Sequence, residues 1–288
     1  MSAFALAARL VRAVRVRLED LAATLAVDAH ALVARRPLVA EDGYGIVTYT
    51  SHGERASKAW RAAVSIGRGA QRPSRLILWL EPRDLAAATG RRWDRLRGLG
   101  LEVREARPGL GPHTKYFGAL ELSVASGEPI VTADDDVIYP RRWLAALRGA
   151  QEAEPGRLVV SCFRARVMPA DGGRAARYDA WPLATRATLA EDLFLTGVSG
   201  AVYPSAFAAL ALSRGTEFLD LCARADDVWL NRLARDGGFA IRLVDGVSVD
   251  FAAVIGTRNT GLSRRNVVGD ENTAQIERTF SGMAGWPR

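Results

Sequence analysis

Three aspartates in a row, Asp134, Asp135 and Asp136, follow the apolar run 129–133 and precede Val137-Ile138-Tyr139-Pro140. A short apolar run that stops at a charged cluster reads as a buried strand opening into a loop at its carboxyl end. Adjacent carboxylates repel one another, so a fold retains three of them only with positive charge among them. Side-chain direction alternates along a strand, which is expected to send Asp134 and Asp136 the same way. Two carboxylates on one side of a strand end suit a hard divalent cation that keeps open positions for phosphate oxygens. The alternative is a solvated acidic turn or a helix N-cap cluster, although a cap rarely needs three acids. A calcium loop of the EF-hand kind is disfavoured, because the acids are contiguous and no glycine follows at the turn.

A second acidic pair, Asp226-Asp227, precedes the helical run 228–235. One of the two could cap that helix. With Trp229 close by, the pair also suits an active-site base next to an aromatic ring that stacks on a sugar. Gly197 and Gly200 interrupt an otherwise apolar strand over 194–204, where missing side chains allow backbone to approach a ligand or mark a bulge without one. Glu81, at the end of a strand, can accept hydrogen bonds from a base or ribose, or stand exposed before Pro82. Lys115 opens a helix, where a cation is unfavourable beside the positive end of the dipole. It is either a solvated lysine or a phosphate ligand acting with the helix N-terminus. His52 and His113 are expected to be polar loop residues.

These residues are spaced along alternating strands and helices. Strands are expected at 45–50, 75–80, 101–106 and 129–133, and helices at 56–66, 83–99 (weak at Gly90) and 114–126. The βαβα order predicts an α/β fold: a mostly parallel sheet with right-handed crossovers, flanked by helices. Ligands collect at the carboxyl ends of such strands. That rule places the loop after Thr50, Glu81, the segment 109–112 and the three aspartates along one rim.

Before the sheet, Phe4, Ala7, Val11, Val14, Leu18, Leu21 and Leu25 recur at helical spacing, and arginines at 9, 12, 15 and 17 interrupt every apolar run. This predicts an amphipathic helix and no membrane span. It packs on its own domain or a partner subunit, making a homo-oligomer, or residues 1–38 lie as a basic helix on an anionic membrane surface. The expected organisation is a helical segment over 1–40 and one catalytic domain over 41–288, with a nucleotide-binding half (41–140) and an acceptor-binding half (141–288).

The formal net charge of +7 rests almost wholly on arginine, since Lys58 and Lys115 are the only lysines. A basic balance favours anionic partners. No nucleic acid is expected among them, because the chain has no Lys/Arg-rich tail and no recognisable nucleic-acid module. Cys162 and Cys222 match no metal spacing and read as core residues of a reducing compartment. The expected location is cytoplasmic, peripheral on the inner membrane face if the first helix engages lipid.

Taken in order, the strand 47–51, Gly111-Pro-His-Thr-Lys-Tyr116, the stretch 131–140, Thr196-Gly-Val-Ser-Gly-Ala-Val-Tyr-Pro204, Ala225-Asp-Asp-Val-Trp-Leu230 and the tail 262–272 resemble the GT-A class of nucleotide-sugar-dependent glycosyltransferases. The set is similar to the bacterial enzymes that build capsular or cell-surface polysaccharide. The resemblance implies that Asp134 and Asp136 bind Mn²⁺ or Mg²⁺ and through it the donor diphosphate. Thr50, Glu81, Lys115, Asp134 and Asp135 would then contact a nucleotide-sugar donor, a UDP-sugar above all. Asp227 would be the general base of an inverting transfer to a glycan or other hydroxyl acceptor. Asp226, Trp229, Gly197 and Gly200 would lie on the acceptor side. Many relatives carry a late histidine as a further metal ligand. No histidine follows His113 here, and Asp250, Asn266, Asp270 or water would have to substitute. Two rival readings are a haloacid-dehalogenase-like Mg²⁺ phosphotransferase and a non-catalytic sugar-nucleotide scaffold. Three βα units before the acids count against the first, and the retained acidic pairs against the second.

Overall fold

The computed structural model describes residues 3–169, 177–185, 189–190, 192–257 and 271–281. Helix α1 (Ala3–Val33) leads into strand β1 (Ile46–Thr50). After a 3₁₀ turn over Gly53–Lys58 come α2 (Trp60–Gly67), β2 (Arg75–Leu80), α3 (Arg91–Gly98) and β3 (Leu101–Glu105). Short helices α4 (Thr114–Phe117) and α5 (Leu120–Ser126) lead to β4 (Ile130–Thr132) and β5 (Val137–Ile138). Next are α6 (Trp143–Glu152), β6 (Val159–Cys162), β7 (Ala165–Val167), β8 (Leu189–Ala190) and β9 (Leu193–Leu195). The described chain ends with β10 (Ala201–Tyr203), α7 (Ser205–Ser213), α8 (Phe218–Leu221), α9 (Asp226–Asp236), β11 (Ala240–Leu243), β12 (Ala252–Ala253) and α10 (Glu271–Phe280).

The main sheet has eight strands in the order β3-β2-β1-β4-β10-β6-β11-β8. Its first four run parallel, and β6 and β11 share their direction. Only β10 and β8 are reversed. The expected α/β fold with a mostly parallel, helix-flanked sheet is therefore present. Both faces are covered, which explains the continuously apolar strands. Alternate residues of β2 serve opposite cores: Leu76, Leu78 and Leu80 on one side, Ile77 and Trp79 on the other.

Three boundaries depart from the sequence expectation. The helix expected over 114–126 is broken at Gly118, whose backbone lies so close to the Trp79 ring that a Cβ would sit 2.7 Å from it. The helix over 83–99 becomes a 3₁₀ turn (Pro82–Ala88) and α3, separated where Gly90 takes φ +93°. The single strand expected over 194–204 is two strands in different sheets, β9 and β10. Between them the chain reverses through Ser199 (φ +69°) and Gly200 (φ +94°), with the Gly200 N–H donating to Gly197 O at 3.0 Å.

The second half of helix α1 is tied to the domain by several described contacts. Asp20 accepts the Ala253 N–H at 2.8 Å, and Thr24 Oγ1 accepts the Ile255 N–H at 3.0 Å. Asp28 forms a two-point pair with Arg61 at 2.7 and 2.8 Å. Arg95 donates to the carbonyls of Ala31, Leu32 and Ala34, satisfying groups that a helix end leaves open. Among the described residues no helix is long and apolar enough to cross a membrane.

Candidate active site

The three aspartates sit at the carboxyl end of β4, a central strand of the sheet that lies between parallel β1 and antiparallel β10. Regular strand geometry ends at Thr132, so strand alternation does not govern the acids that follow. Asp134 points to Lys115, with Oδ1 2.6 Å from Nζ. Asp135 is buried, accepts the Ser51 hydroxyl and lies 3.4 Å from Arg55. Asp136 shares Arg55, with Oδ2 3.0 Å from Nη1. Asp134 and Asp136 are thus each held by a different cation, Lys115 and Arg55. The Tyr139 hydroxyl accepts the Asp134 N–H at 2.7 Å and fixes the turn between the acids and α6.

Asp226 and Asp227 open α9, where carboxylates are favoured by the positive end of the helix dipole. Asp226 Oδ2 lies 3.6 Å from Lys115 Nζ, so one buried ammonium stands between the two acidic sets. Asp227 Oδ1 accepts the Gly197 N–H at 2.6 Å. A Cβ at residue 197 would sit 2.9 Å from that oxygen and 3.5 Å from Lys115 Nζ, so glycine permits the contact. Asn231, one turn along α9, donates to the carbonyls of Asp227 and Leu195 at 2.7 and 2.8 Å and accepts the Leu195 N–H at 2.9 Å. That bracket ties α9 to β9 and thereby sets where Asp227 points.

The electrostatics follow from burial. Burial, then repulsion from Asp226, pushes the Asp227 carboxyl up to about 7, against the opposing pull of Lys115. Burial and the charges of Asp135 and Asp134 push Asp136 up to about 6. Burial also raises Asp135, offset in part by Arg55 and by the Ser51 hydroxyl. Burial opposes the charge of Lys115, but Asp134, Asp226 and Asp227 together outweigh it and hold the ammonium well above its ordinary value. Negative charge thus exceeds what Lys115 and Arg55 neutralise.

The remaining predicted residues fall as follows. Glu81 accepts the Gly109 N–H at 3.2 Å and pairs with Arg83 at 3.0 Å, joining two rim loops. Thr50 Oγ1 donates to Trp79 O at 2.9 Å, inside the sheet. Gly200 makes its close approach to protein, not to an open cleft, because a Cβ there would sit 2.6 Å from the Trp143 ring. Trp229 is 2% exposed and packs tilted against Phe218, so it serves the core and offers no face to a sugar. His113 is likewise a core residue. It stacks on Phe218 at 3.9 Å, its Nε2 bonds to Cys222 O at 2.9 Å and its Nδ1 to the Tyr116 hydroxyl at 2.9 Å. Burial depresses it to about 4, which keeps it neutral. Asp250 pairs with Arg164 at 3.0 Å. Asn266 and Asp270 lie outside the described residues. Ser51, Arg55, Tyr139 and Asn231 complete the site.

Among the described residues no group of three or more His, Cys, Asp or Glu is placed to hold a metal alone. Asp134 and Asp136 each commit one oxygen to a cation, and the described hydrogen bonds leave the other oxygen of each without a protein donor. Two carboxylates with excess negative charge fit an ion such as Mg²⁺ or Mn²⁺, which is ordinarily bound through one or two carboxylates plus substrate phosphates and water.

The class defined so far is an α/β protein with a double acidic centre at the carboxyl ends of its strands. No protein-family model and no curated protein sequence matches the chain. Among solved structures it is similar to the mannosyltransferase PcManGT from Pyrobaculum calidifontis in complex with GDP-Man and Mn²⁺. That likeness has a TM-score of 0.46 at 15% identity, over 92% of this chain and 75% of the other. It is also similar to a CMP:2-keto-3-deoxy-manno-octonic acid synthetase complexed with CTP, at TM-score 0.41 and 11% identity, over 80% of this chain and 100% of the other. At those scores neither likeness assigns an activity or a ligand to this chain.

Proposed function

We propose that the protein is a metal-dependent glycosyltransferase that moves a sugar from a nucleoside diphosphate donor to a hydroxyl acceptor with inversion. One observation carries the reading: Lys115 Nζ lies 2.6 Å from Asp134 and 3.6 Å from Asp226, which brings an acidic phosphate-side set and an acidic base-side set to one point of the rim.

In this reading Asp134 and Asp136 hold Mn²⁺ or Mg²⁺, and Lys115 and Arg55 keep the crowded acids in place. The ion, when bound, supplies Lewis-acid neutralisation of the charge on the leaving diphosphate. Lys115 and the loop at 109–113 flank the donor, with Glu81 holding that loop. Asp227 takes the acceptor hydroxyl proton at its carboxylate while the new bond forms. Its elevated proton affinity suits it to that step, since a base works best when its pKa lies near the working pH. Gly197 donates to Asp227 and orients it. Residues 41–140 form the donor half and 141–288 the acceptor half. A UDP-sugar is the first donor to try, and the location is the cytoplasm.

The test is donor-dependent transfer to a panel of hydroxyl acceptors, followed by product release with Mn²⁺ or Mg²⁺. Asp136→Ala and Asp227→Asn should each lower turnover by about two to four orders of magnitude. Unchanged transfer in either variant would remove the assigned roles. Release of phosphate from small phosphoesters, without sugar transfer, would favour the phosphotransferase alternative.

A further inference from the structure

The outward face of α1 is apolar and strictly periodic. Ala7 is exposed, as are Val11, Val14, Leu18, Leu21 and Leu25, the last five from 38% at Leu21 to 70% at Val11. Their spacing alternates four and three and, with Phe4, runs unbroken over three heptads. A period of 3.5 is the signature of a seam between two supercoiled helices, narrower than the broad stripe a helix lays on its own domain. The domain does use a different face of α1: Asp20, Thr24 and Val27, which are buried. Among the described residues nothing covers the seam, which points away from those attachments. Its apolar run stops at Asp28, which would be the next seam position and is instead bound to Arg61.

We propose that a second copy of this chain covers this face, the two α1 helices forming a parallel two-stranded coiled coil. Charge placement supports that occupant. In parallel register Arg15 of one copy lies beside Leu10 of the other, and Arg17 beside Ala22, so no arginine faces an arginine. Arg15 is meanwhile held by Glu19 of its own helix at 2.8 Å. Covering these side chains on both copies removes on the order of 1,000 Å² from water, about the threshold for a specific interface. An anionic membrane surface fits less well. A helix lying on a bilayer needs a strongly polar opposite face. Here Leu6, Ala13 and Val16 lie among Arg9 and Arg12 on that side. The bodies, attached on the faces turned away from the seam, would hang on opposite flanks of the coil.

The test is sedimentation of the full chain at micromolar concentration. Wild type should have twice the chain mass, and the exposed double substitution Val14→Glu with Leu18→Glu should have one chain mass with an unchanged thermal transition. Oxidation of Val14→Cys should give a disulfide-linked dimer at least about tenfold faster than Arg9→Cys, because only the seam position brings the two sulfurs within bonding range. The native cysteines are buried and do not compete. A monomeric wild type would overturn the proposal. So would a monomer that pellets with anionic vesicles and loses that property in the glutamate variant, or equal cross-linking at residues 9 and 14.

Discussion

Lys115→Met is the perturbation that most directly probes how the acidic centre is held together. The ammonium lies 2.6 Å from Asp134 and 3.6 Å from Asp226, and side-chain exposure across these groups is only 13–19%. Truncating one partner of a buried ion pair destabilises by about 3–5 kcal/mol, because the other charge is left uncompensated. The remaining exposure puts this site at the low end, about 3 kcal/mol. For a chain of this length each kcal/mol corresponds to about 2–4 °C, so the transition should fall by roughly 6–12 °C at pH 8. The deficit should shrink at pH 5. Lys115 titrates far above this window, so its own contribution is constant across it. Asp136 and Asp227, raised to about 6 and about 7, take up protons as the pH falls and leave less charge to repel. Thermal melts of both proteins at pH 5 and pH 8 make the comparison. A variant that melts within about 2 °C of wild type at pH 8, or with a deficit that does not depend on pH, would refute the view that Lys115 is the counter-charge of the site.

Asp227→Asn should separate stability from activity. A carboxyl whose folded pKa is raised stabilises the fold below its ordinary value and loses that contribution as pH rises toward about 7. The amide should therefore melt higher than wild type at pH 8, with little difference at pH 4, while transfer is lost. In wild type, kcat/KM should rise with pH through about 7 as the base ionises; a flat profile between pH 5 and 8 would argue against Asp227 as base. Gly200→Ala should destabilise by about 2–3 kcal/mol, from a left-handed backbone with a side chain and from overpacking against Trp143. Chemical denaturation would read it, and a variant as stable as wild type would mean the turn relaxes.

Much of the scaffold was legible because β1, β2, β3 and β4 are compact apolar runs between clear breakers. The two- and three-residue strands β5, β7, β8 and β12 carry too few residues to show a period. The reversal between β9 and β10 was hidden by the apolar composition around it. Its signal was the pair Gly197 and Gly200 three apart, which marked a backbone constraint without revealing that its causes were Asp227 at one glycine and Trp143 at the other. Trp229 misled because neighbours in sequence are not neighbours on a helix: residues two apart, such as 227 and 229, do not share a face. Arg55 was within reach of sequence reasoning. Three adjacent acids demand cations, and the loop 51–55 lies on the same rim, but pairing across about eighty residues leaves no local pattern. Asn231 gave no signal beyond helical position.

In the proposed function the acids after β4 bind a divalent ion that in turn binds a diphosphate. Titration calorimetry of nucleoside diphosphates, with and without Mn²⁺, tests it on wild type and on Asp134→Asn with Asp136→Asn. One nucleoside diphosphate should bind wild type only with the metal, and the double variant should not bind it. Absence of binding by every nucleoside diphosphate whatever divalent ion is supplied, or equal binding by the double variant, would contradict it.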